Sequence, residues 1–196
     1  ITSMNQDIVA VNDCDQSGPG DNNAECGNTA DNQADSLTQL NSAAGHFFSD
    51  IIQDNDAAYS QLIDLSNDCD ETTLTLTIED NEATCGTNAL NHIVDASQTN
   101  AALADIDASI DQDNNLAVSQ NIVADNKCSG TGLLLADCVN VDTLNRIDTI
   151  TQGNSAEGTL DASSTQVNNA VFNQNMVLLN DCDETELGSS DASCVN

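Results

Sequence analysis

Basic residues are almost absent from this sequence. Its 196 residues include 33 acidic side chains but only Lys127 and Arg146 as cations, which gives a formal net charge of −31 at pH 7. Nucleic acids and anionic membrane surfaces would repel such a chain. The longest obvious apolar run, at 133–136, is far shorter than the roughly 20 residues that span a bilayer. We therefore expect neither nucleic-acid binding nor membrane insertion.

Large apolar side chains are also scarce. There is no Trp, one Tyr and three Phe, and Leu, Ile, Val and Phe together make up about a fifth of the chain. This fraction is near the level at which disorder becomes typical. Asn and Gln are abundant, so we expect any core to be built partly from amide side chains.

Signatures of catalysis are missing as well. The sequence contains no GxSxG, HExxH, phosphate-loop or dinucleotide-binding motif, and no CxxCH haem attachment site. His46 and His92 fall on outward phases and have no His or Cys at ligand spacing, so we interpret both as solvated side chains. A repeat-built polysaccharide lyase would usually need basic residues that are lacking here. We expect a protein that is not an enzyme and needs no organic cofactor.

The eight cysteines form four close pairs without zinc-type spacing. An even number of paired cysteines in so acidic a chain is typical of an oxidised, secreted protein. We therefore expect an extracellular or cell-surface location. The sequence shows no signal peptide, and we interpret it as a mature, processed product.

A repeat runs through the whole chain. In each copy a Gln is followed six residues later by Asn and eight residues later by Cys, and a loop of variable length then leads to a second Cys. The anchoring residues are Gln6, Gln61, Gln120 and Gln174, with Asn12, Asn67, Asn126 and Asn180. We divide the single domain into repeats at about 5–59, 60–118 and 119–172 and a half repeat at 173–196.

Two Gln-x-Asn triplets, 14 residues apart, follow the second Cys of each full repeat. They begin at Gln39, Gln98 and Gln152 and at Gln53, Gln112 and Gln166. From 98 to 128 nearly every second residue is apolar, Asn or Gln, and the intervening residues are mostly polar or acidic. No helix keeps a period of two over such a length, so the pattern predicts strands. The phase slips between 32 and 39 and at the equivalent positions, where we expect a bend or bulge.

Buried amides explain why Gln and Asn keep their positions while other residues vary. A buried amide is costly unless both its ends are hydrogen-bonded, and a column of identical amides at strand spacing bonds itself. The sequence therefore predicts an all-β repeat β-solenoid with Asn/Gln ladders, with two or more turns of the solenoid in each repeat.

Two alternatives stay open. Asn and Gln also mark turns, and corners are the interpretation for Asn28, Asn32, Asn88, Asn91, Asn140 and Asn145. The alternative fold is a pilin-like β-sandwich that exchanges donor strands.

Each cysteine pair can close the neck of its own loop. The predicted disulfides are Cys14–Cys26, Cys69–Cys85, Cys128–Cys138 and Cys182–Cys194. Closing loops of this size contributes roughly 3 kcal/mol each in the chain-entropy model. Pairing between repeats is the alternative, and it requires Cα atoms within about 7 Å of each other.

Stacked Gln and Asn in a secreted chain resemble curli-type fibre subunits, whose repeat has the form Ser-x5-Gln-x-Gly-x-Asn-x-Ala-x3-Gln. The most similar stretches are Asn115-x-Ala117 leading to Gln120, and Gln152-Gly153-Asn154-x-Ala156. The resemblance is one of architecture, because the period here is more than twice as long and disulfides are added. It implies an Asn/Gln-rich extracellular fibre subunit that stacks end to end.

Acidic pairs flank the first cysteine of three of the four copies. They are Asp13 and Asp15, Asp68 and Asp70, and Asp181 and Asp183. Alternation around the cysteine directs both carboxylates outward at the loop neck, and oxygen-rich sites suit Ca²⁺. Either a Ca²⁺ site or a solvated acidic edge fits this pattern. The third copy has Lys127 and Ser129 in place of the aspartates.

The expected function is that of a structural subunit of an extracellular filament, with other copies of the chain as its partners. No polar caps are recognisable at either end, and uncapped strand edges invite another copy. In a variant of this hypothesis, residues 1–12 complete a neighbour's sheet by strand addition. The alternative is a cell-surface adhesin or an ice-binding module, for which the Thr-alternating segment at 72–77 is the only indication.

Overall fold

The computed structural model describes residues 2–18, 23–73, 81–131, 134–185 and 191–195. Strands dominate these ranges, which confirms the all-β class. The strands are β1 (Thr2–Gly18), β2 (Asn23–Ala34), β3 (Leu37–Phe47), β4 (Asp50–Thr73), β5 (Asn81–Ile106), β6 (Ser109–Thr131), β7 (Leu134–Asn140), β8 (Leu144–Leu160), β9 (Ser163–Thr185) and β10 (Asp191–Val195). Across the described ranges, no helix has the length and apolar character to span a bilayer.

The strands form two parallel sheets. The first sheet has the order β1-β4-β6-β9. The second has the order β10-β7-β5-β2, and β3 and β8 also pair with β5, on the sides of β2 and β7 respectively. The chain alternates between the sheets, so each repeat supplies strand to both. Parallel pairing of this kind needs long crossovers, and here the opposite sheet provides each crossover.

Equivalent residues of successive repeats lie directly beside each other. In the first sheet, Gln6 pairs with Gln61, Gln61 with Gln120, and Gln120 with Gln174. The expectation of two or more turns per repeat is therefore wrong. The physical reason is strand length: β4 has 24 residues and β5 has 26, whereas strands of about 5–6 residues are usual. One run of strand in the first sheet and one in the second together account for a whole repeat.

The expected change of phase lies within the second sheet. Ile93 and Ala96 of β5 are both buried although an odd number of positions separates them. At the equivalent place the chain leaves strand geometry at 35 and 36, between β2 and β3. The irregularity returns an inward row of side chains to the space between the sheets, so amides on both sides of the bend can take part in ladders.

Three equivalent turns lead from the second sheet back to the first. Phe48, Asp107 and Asp161 occupy them with φ of 53°, 51° and 50°, in the left-handed region where Asp is tolerated better than a bulky residue. The turns are stacked like the strands, because Asp107 N donates to Leu160 O at 3.0 Å and Phe48 N to Ile106 O at 3.1 Å.

The core is a set of small apolar clusters between the sheets rather than one large one. One cluster contains Tyr59, Ile93 and Val118, and another contains Ile63, Leu65 and Ile122. Fully buried Gln61, Gln120 and Asn91 also belong to the interior. A core of this composition depends on hydrogen-bonded amides as well as on apolar area, as the sequence predicts.

Candidate functional site

The anchoring Gln side chains form one continuous ladder along the first sheet. Gln61, Gln120 and Gln174 each donate from Nε2 to Oε1 of the preceding Gln, at 2.8, 2.8 and 2.6 Å. Gln6, in the first repeat, is the final acceptor. The prediction of buried Asn/Gln ladders is confirmed, and each step of this one joins residues more than 50 positions apart in sequence.

Two further Gln ladders run in the same direction. In the second sheet Gln152 donates to Gln98 and Gln98 to Gln39, both at 2.8 Å. In the first sheet the steps are Gln112 to Gln53 at 2.7 Å and Gln166 to Gln112 at 2.9 Å. All three ladders point their donors toward the earlier repeat, so each has a distinct beginning and end.

The Gln amides also bond to the backbone of the opposite sheet. Gln61 Nε2 lies 2.9 Å from the carbonyl oxygen of Asn32, and Gln120 Nε2 lies 3.1 Å from that of Arg146. Each buried Gln thus bridges its own column and the facing sheet. The cost of burying a polar amide is offset because its donors and its acceptor all have partners.

Asn ladders run in the opposite direction. Asn32 donates from Nδ2 to Asn91 Oδ1 at 3.1 Å, and Asn91 donates to Asn145 at 2.9 Å. These donors point toward the later repeat. The interpretation of Asn32, Asn91 and Asn145 as corner residues is wrong, because they lie within β2, β5 and β8. A turn and a ladder select the same residue type, so the local sequence does not separate them.

A second Asn ladder crosses between the sheets near the disulfides. It passes from Asn12 to Asn28 at 2.9 Å and from Asn28 to Asn67 at 2.8 Å. It continues from Asn67 to Asn126 at 2.9 Å, from Asn126 to Asn180 at 3.0 Å and through Asn140. Thr87 takes the place of an Asn in the second repeat and bonds to Asn126 Oδ1 at 2.6 Å. Asn28 and Asn140 are therefore ladder residues too, not corners.

A third Asn ladder joins the Asn residues of the Gln-x-Asn triplets. Asn55 donates to Asn100 and Asn114, and Asn114 donates to Asn154 and Asn168, at distances from 2.8 to 3.0 Å. Each donor again faces the later repeat. Sequence reasoning placed these Asn residues on the inward face but did not include them in the ladder set.

The two ends of the stacked sheets differ chemically. We call the edges of β1, β2 and β3 the head and the edges of β8, β9 and β10 the tail. At the head, Gln6 Oε1 is already used, and among the described groups its Nε2 donates to Gln33 O, at 3.4 Å. At the tail, Gln174 Nε2 is used, and no described group donates to its Oε1. The ladder from Gln6 to Gln174 therefore ends in a donor group at the head and in an acceptor group at the tail.

Disulfides join the two sheets in successive repeats. The structure contains Cys14–Cys26, Cys69–Cys85 and Cys128–Cys138. Cys182 is also disulfide-bonded, and the side chain of its predicted partner, Cys194, lies outside the described residues. The sulfurs of Cys85, Cys128 and Cys138 lie close together, but all three belong to disulfides and none is a thiolate that could bind a metal. These disulfides fit an oxidising, extracellular environment.

The acidic pairs at the loop necks form columns across the repeats. Asp13, Asp68, Lys127 and Asp181 are in register. Lys127 Nζ lies 3.2 Å from Asp68 Oδ1 and 3.9 Å from Asp70 Oδ1, and Ser129 Oγ bonds to Asp70. The hydrogen bond to Asp68, with the charges of both aspartates, raises the pKa of Lys127.

The third repeat thus supplies a cation to this column. The side chains of Asp15 and Asp183 lie outside the described residues. Binding of Ca²⁺ at the necks stays a prediction.

The two histidines bond to aspartates on neighbouring strands. His46 Nδ1 lies 2.8 Å from Asp105 Oδ2 and is exposed, as interpreted from the sequence. His92 Nε2 lies 3.0 Å from Asp148 Oδ2 and its side chain is only 15% exposed, so the interpretation of His92 as a solvated side chain is wrong. The His92 bond, followed by that of Arg146, lowers the pKa of the Asp148 carboxyl. Neither histidine has a second potential metal ligand among the described side chains.

The arrangement contains polar ladders, cross-linked sheets and two unlike edges. Among its described residues no constellation of nucleophile, base and oxyanion donors is brought together. No protein-family model matches the chain, and no curated protein or solved structure matches it.

Proposed function

We propose that the chain is a two-sheet β-solenoid, with one turn per repeat, and that it serves as a structural subunit of an extracellular filament. The alternation of the chain between two in-register parallel sheets supports the solenoid. A pilin-like β-sandwich would be built from antiparallel sheets. The subunits assemble head to tail through strand pairing, and the filament performs no catalysis.

The observation that carries the proposal is the polarity of the ladders. A tail placed on a head brings Gln174 Oε1 to Gln6 Nε2, so this Gln ladder continues into the next subunit. A head placed on a head would bring donors to donors. A contact between unlike surfaces that does not close on itself produces a filament, and exposed edges of parallel strands template such pairing.

Charge and covalent structure support the same function. None of the acidic side chains that the structure describes is buried, and a net charge of −31 opposes side-by-side clumping of filaments. The three disulfides of the described chain tie the sheets together, which resists unfolding in an oxidising medium outside the cell.

Two variants with one blocked surface each test the head-to-tail joint. Ile8 of β1 and Met176 of β9 are equivalent inward residues at the two edges. Both side chains are partly exposed at the free edges, so an aspartate there keeps contact with water in the free subunit but would be buried without a partner in a joint. We expect filaments of the unaltered chain in negative-stain images at about 0.5 M salt, where the Debye length falls below about 8 Å.

Ile8→Asp and Met176→Asp should each remain monomeric in sedimentation velocity. Their equimolar mixture should form a dimer, because the intact tail of the first meets the intact head of the second. Thermal melting of each variant controls for folding. Dimers of either variant alone, or an unaltered chain that stays monomeric at high concentration, would refute the proposed assembly.

A further inference from the structure

The inward row of β9 is uncovered over much of its length. Phe172 and Met176 are 45% and 42% exposed, whereas their register partners on β6, Val118 and Ile122, are 3% and 0% exposed. The difference arises because β6 lies between two strands of the second sheet. Along 163–177, β9 receives side-chain hydrogen bonds from the second sheet only through β8, as far as the described residues show.

Backbone carbonyls repeat the same contrast. Three carbonyl oxygens of β6 accept amides from β8, each at 3.2 Å: Gln120 from Asn145, Asn114 from Gln152, and Gln112 from Asn154. The equivalent carbonyls of β9 belong to Gln174, Asn168 and Gln166. No described side chain donates to these three. They form a row of acceptors spaced for an Asn, a Gln and an Asn on a further strand.

An open cleft lies at this place. It has a volume of about 500 Å³ and is lined by residues of β8 between 145 and 150 and by Phe172 and Gln174 of β9. A second opening of about 310 Å³ lies farther along, at 156–164 and Ile110. We call the two together the acceptor cleft. The outer edge of β8 runs beside it, since the pairing partner of β8 is β5, on its other side.

We infer that the acceptor cleft binds one more extended strand, from a partner segment with Asn, Gln and Asn at relative positions 0, 7 and 9. The strand would pair with β8 in parallel and in register, as β5 does on the other side of β8. Its amides would donate to the carbonyls of Gln174, Asn168 and Gln166. Its Gln would also donate to Gln152 Oε1 and so extend that ladder by one step.

Two other requirements on the partner follow from the lining. Ile147 and Ile150 of β8 pack against the cluster that contains Val118, and they lie two and five residues after Asn145. The partner therefore needs apolar residues at relative positions 2 and 5 to cover Phe172 in the same way. Acidic residues would be disfavoured opposite Asp148 and Glu157, because like charges directly across neighbouring strands repel.

Residues 90–106 of the chain itself meet every one of these requirements. In the register that β5 already has with β8, Asn91, Gln98 and Asn100 supply the amides. Ile93 and Ala96 take the apolar positions. Val94 and Leu103 would lie opposite the two acids. A segment of this pattern, presented by another molecule, is therefore the predicted partner.

The inference rests on the two-sheet stack of the proposed function but not on polymerisation. It can be tested on the full chain carrying Ile8→Asp, which keeps the tail intact and blocks the head. The probe is a fluorescently labelled synthetic peptide of residues 90–106, and the control is a scrambled peptide of identical composition. Fluorescence anisotropy at about 0.5 M salt measures binding with charge repulsion largely screened.

We expect saturable binding of the 90–106 peptide at least tenfold tighter than that of the scrambled one, with slower hydrogen exchange over 144–160. Adding Phe172→Asp, within the acceptor cleft, should weaken binding at least tenfold. Adding Val167→Asp, on the outward face of the same strand, should leave binding within about twofold. Equal affinity for the two peptides, or insensitivity to Phe172→Asp, would overturn the inference.

The outcomes separate this inference from the proposed function. Peptide binding by a chain that never forms filaments would support the acceptor cleft and reject the filament. Filaments without peptide binding would show that the tail accepts a folded head but not a separate strand, which retains the filament and rejects the inference.

Discussion

Side chains that are register partners on neighbouring strands form columns, which face either the interior or the solvent. The two kinds of column differ in how far their residues are identical. Inward columns repeat the same residue, as in the ladder from Gln6 to Gln174. Outward columns vary, and an acid usually lies beside an uncharged residue; Asp64, for example, lies between Val9 and Val123. The described strands contain only three register pairs that join two acids: Asp13–Asp68, Asp15–Asp70 and Asp54–Asp113.

The contrast shows what in-register stacking selects. Neighbouring strands lie about 4.8 Å apart, so every side chain is close to its own copies. An amide gains from an identical neighbour because it has both a donor and an acceptor. A carboxylate is destabilised by an identical neighbour, because like charges directly opposite each other destabilise a sheet. In a chain with a charge of −31, identical residues can therefore be paired in register on the inward face, whereas the acids of the outward face need uncharged register partners.

The largest effect is expected from charging an inward column. In Gln120→Glu one carboxylate oxygen would keep the donor Gln174 Nε2, but the oxygen that replaces Nε2 would face the acceptors Gln61 Oε1, Asn91 O and Arg146 O. We expect a loss of about 3–5 kcal/mol in the free energy of unfolding, as for an unpaired buried charge, measured by guanidinium unfolding. The matched control is Asn121→Asp, the same chemical change one residue away on the outward face.

Asn121→Asp should cost less than about 0.5 kcal/mol. Leu62 and Asn175 flank this position, and neither is charged. Equal losses in the two variants would show that the inward and outward columns do not differ as described.

The next largest effect is expected from the inward column of sulfurs. Replacing Cys128 and Cys138 together by Ala should lower the free energy of unfolding by about 3 kcal/mol, because the closed loop is released in the unfolded chain. The same replacement at Cys14 and Cys26 should lower the free energy of unfolding by a similar amount, since the two loops have similar sequence separations of 10 and 12. An unchanged unfolding midpoint in both variants would contradict the structural role given to these disulfides.

A smaller effect is expected from making one outward column uniform. Lys127→Asp would place four aspartates in register, at positions 13, 68, 127 and 181. The melting temperature should fall more than in Lys127→Gln, and added salt should restore part of the loss. The folded-state pKa of Lys127 is raised, so its stabilising contribution is fully present below pH 10.5 and is lost as the pH rises further. Equal melting temperatures of the two variants would show that like charges in this column do not destabilise the protein.

The smallest expected effect is a gain in stability, from removing the charge of Asp54. Asp54 is exposed, but partial loss of its hydration, followed by the charge and hydrogen bond of Asp56 and the charge of Asp113, raises the pKa of Asp54. Folding therefore favours its protonated form, and the ionised form is a penalty at neutral pH that disappears as the pH falls below 3.8, the ordinary value. Asp54→Asn should stabilise the protein by less than about 1 kcal/mol at pH 7. It should give no gain near pH 3.

Asp111→Asn removes the same charge next to Ile52 and Thr165 and is the control for Asp54→Asn. A larger gain in the control at pH 7 would contradict the assignment of repulsion to the Asp54–Asp113 pair.

Much of this architecture can be predicted from the sequence. Alternation from 98 to 128 predicts the strands, because only a strand keeps a period of two. Gln6, Gln61, Gln120 and Gln174 predict a ladder, because only a stacked amide explains a polar residue kept at an inward phase. The cysteine spacing predicts the disulfides of the first three copies, since each pair can close its own loop.

Other features depend on distances that no local pattern contains. The number of turns per repeat follows from how long the strands run before a turn, and a period of two places no limit on that length. The ladder roles of Asn28 and Asn32 require a partner on the facing sheet, at Asn67 and Leu62 respectively. The acceptor cleft arises from the difference in exposure between β6 and β9, which have the same sequence pattern. The segment at 72–77 lies largely outside the described residues, so its proposed ligand-binding role stays a prediction.

The central claim is that equivalent amides of successive repeats touch in chain order. Proton nuclear Overhauser spectra of the side-chain amides test it directly. The signals can be assigned through Gln→Glu variants at the two ends of the ladder, Gln6 and Gln174. We predict cross-peaks from Gln6 to Gln61, from Gln61 to Gln120 and from Gln120 to Gln174, because each pair is joined by a hydrogen bond of 2.6–2.8 Å. Cross-peaks from Gln6 to Gln120, or none between amides of different repeats, would contradict the stacked register.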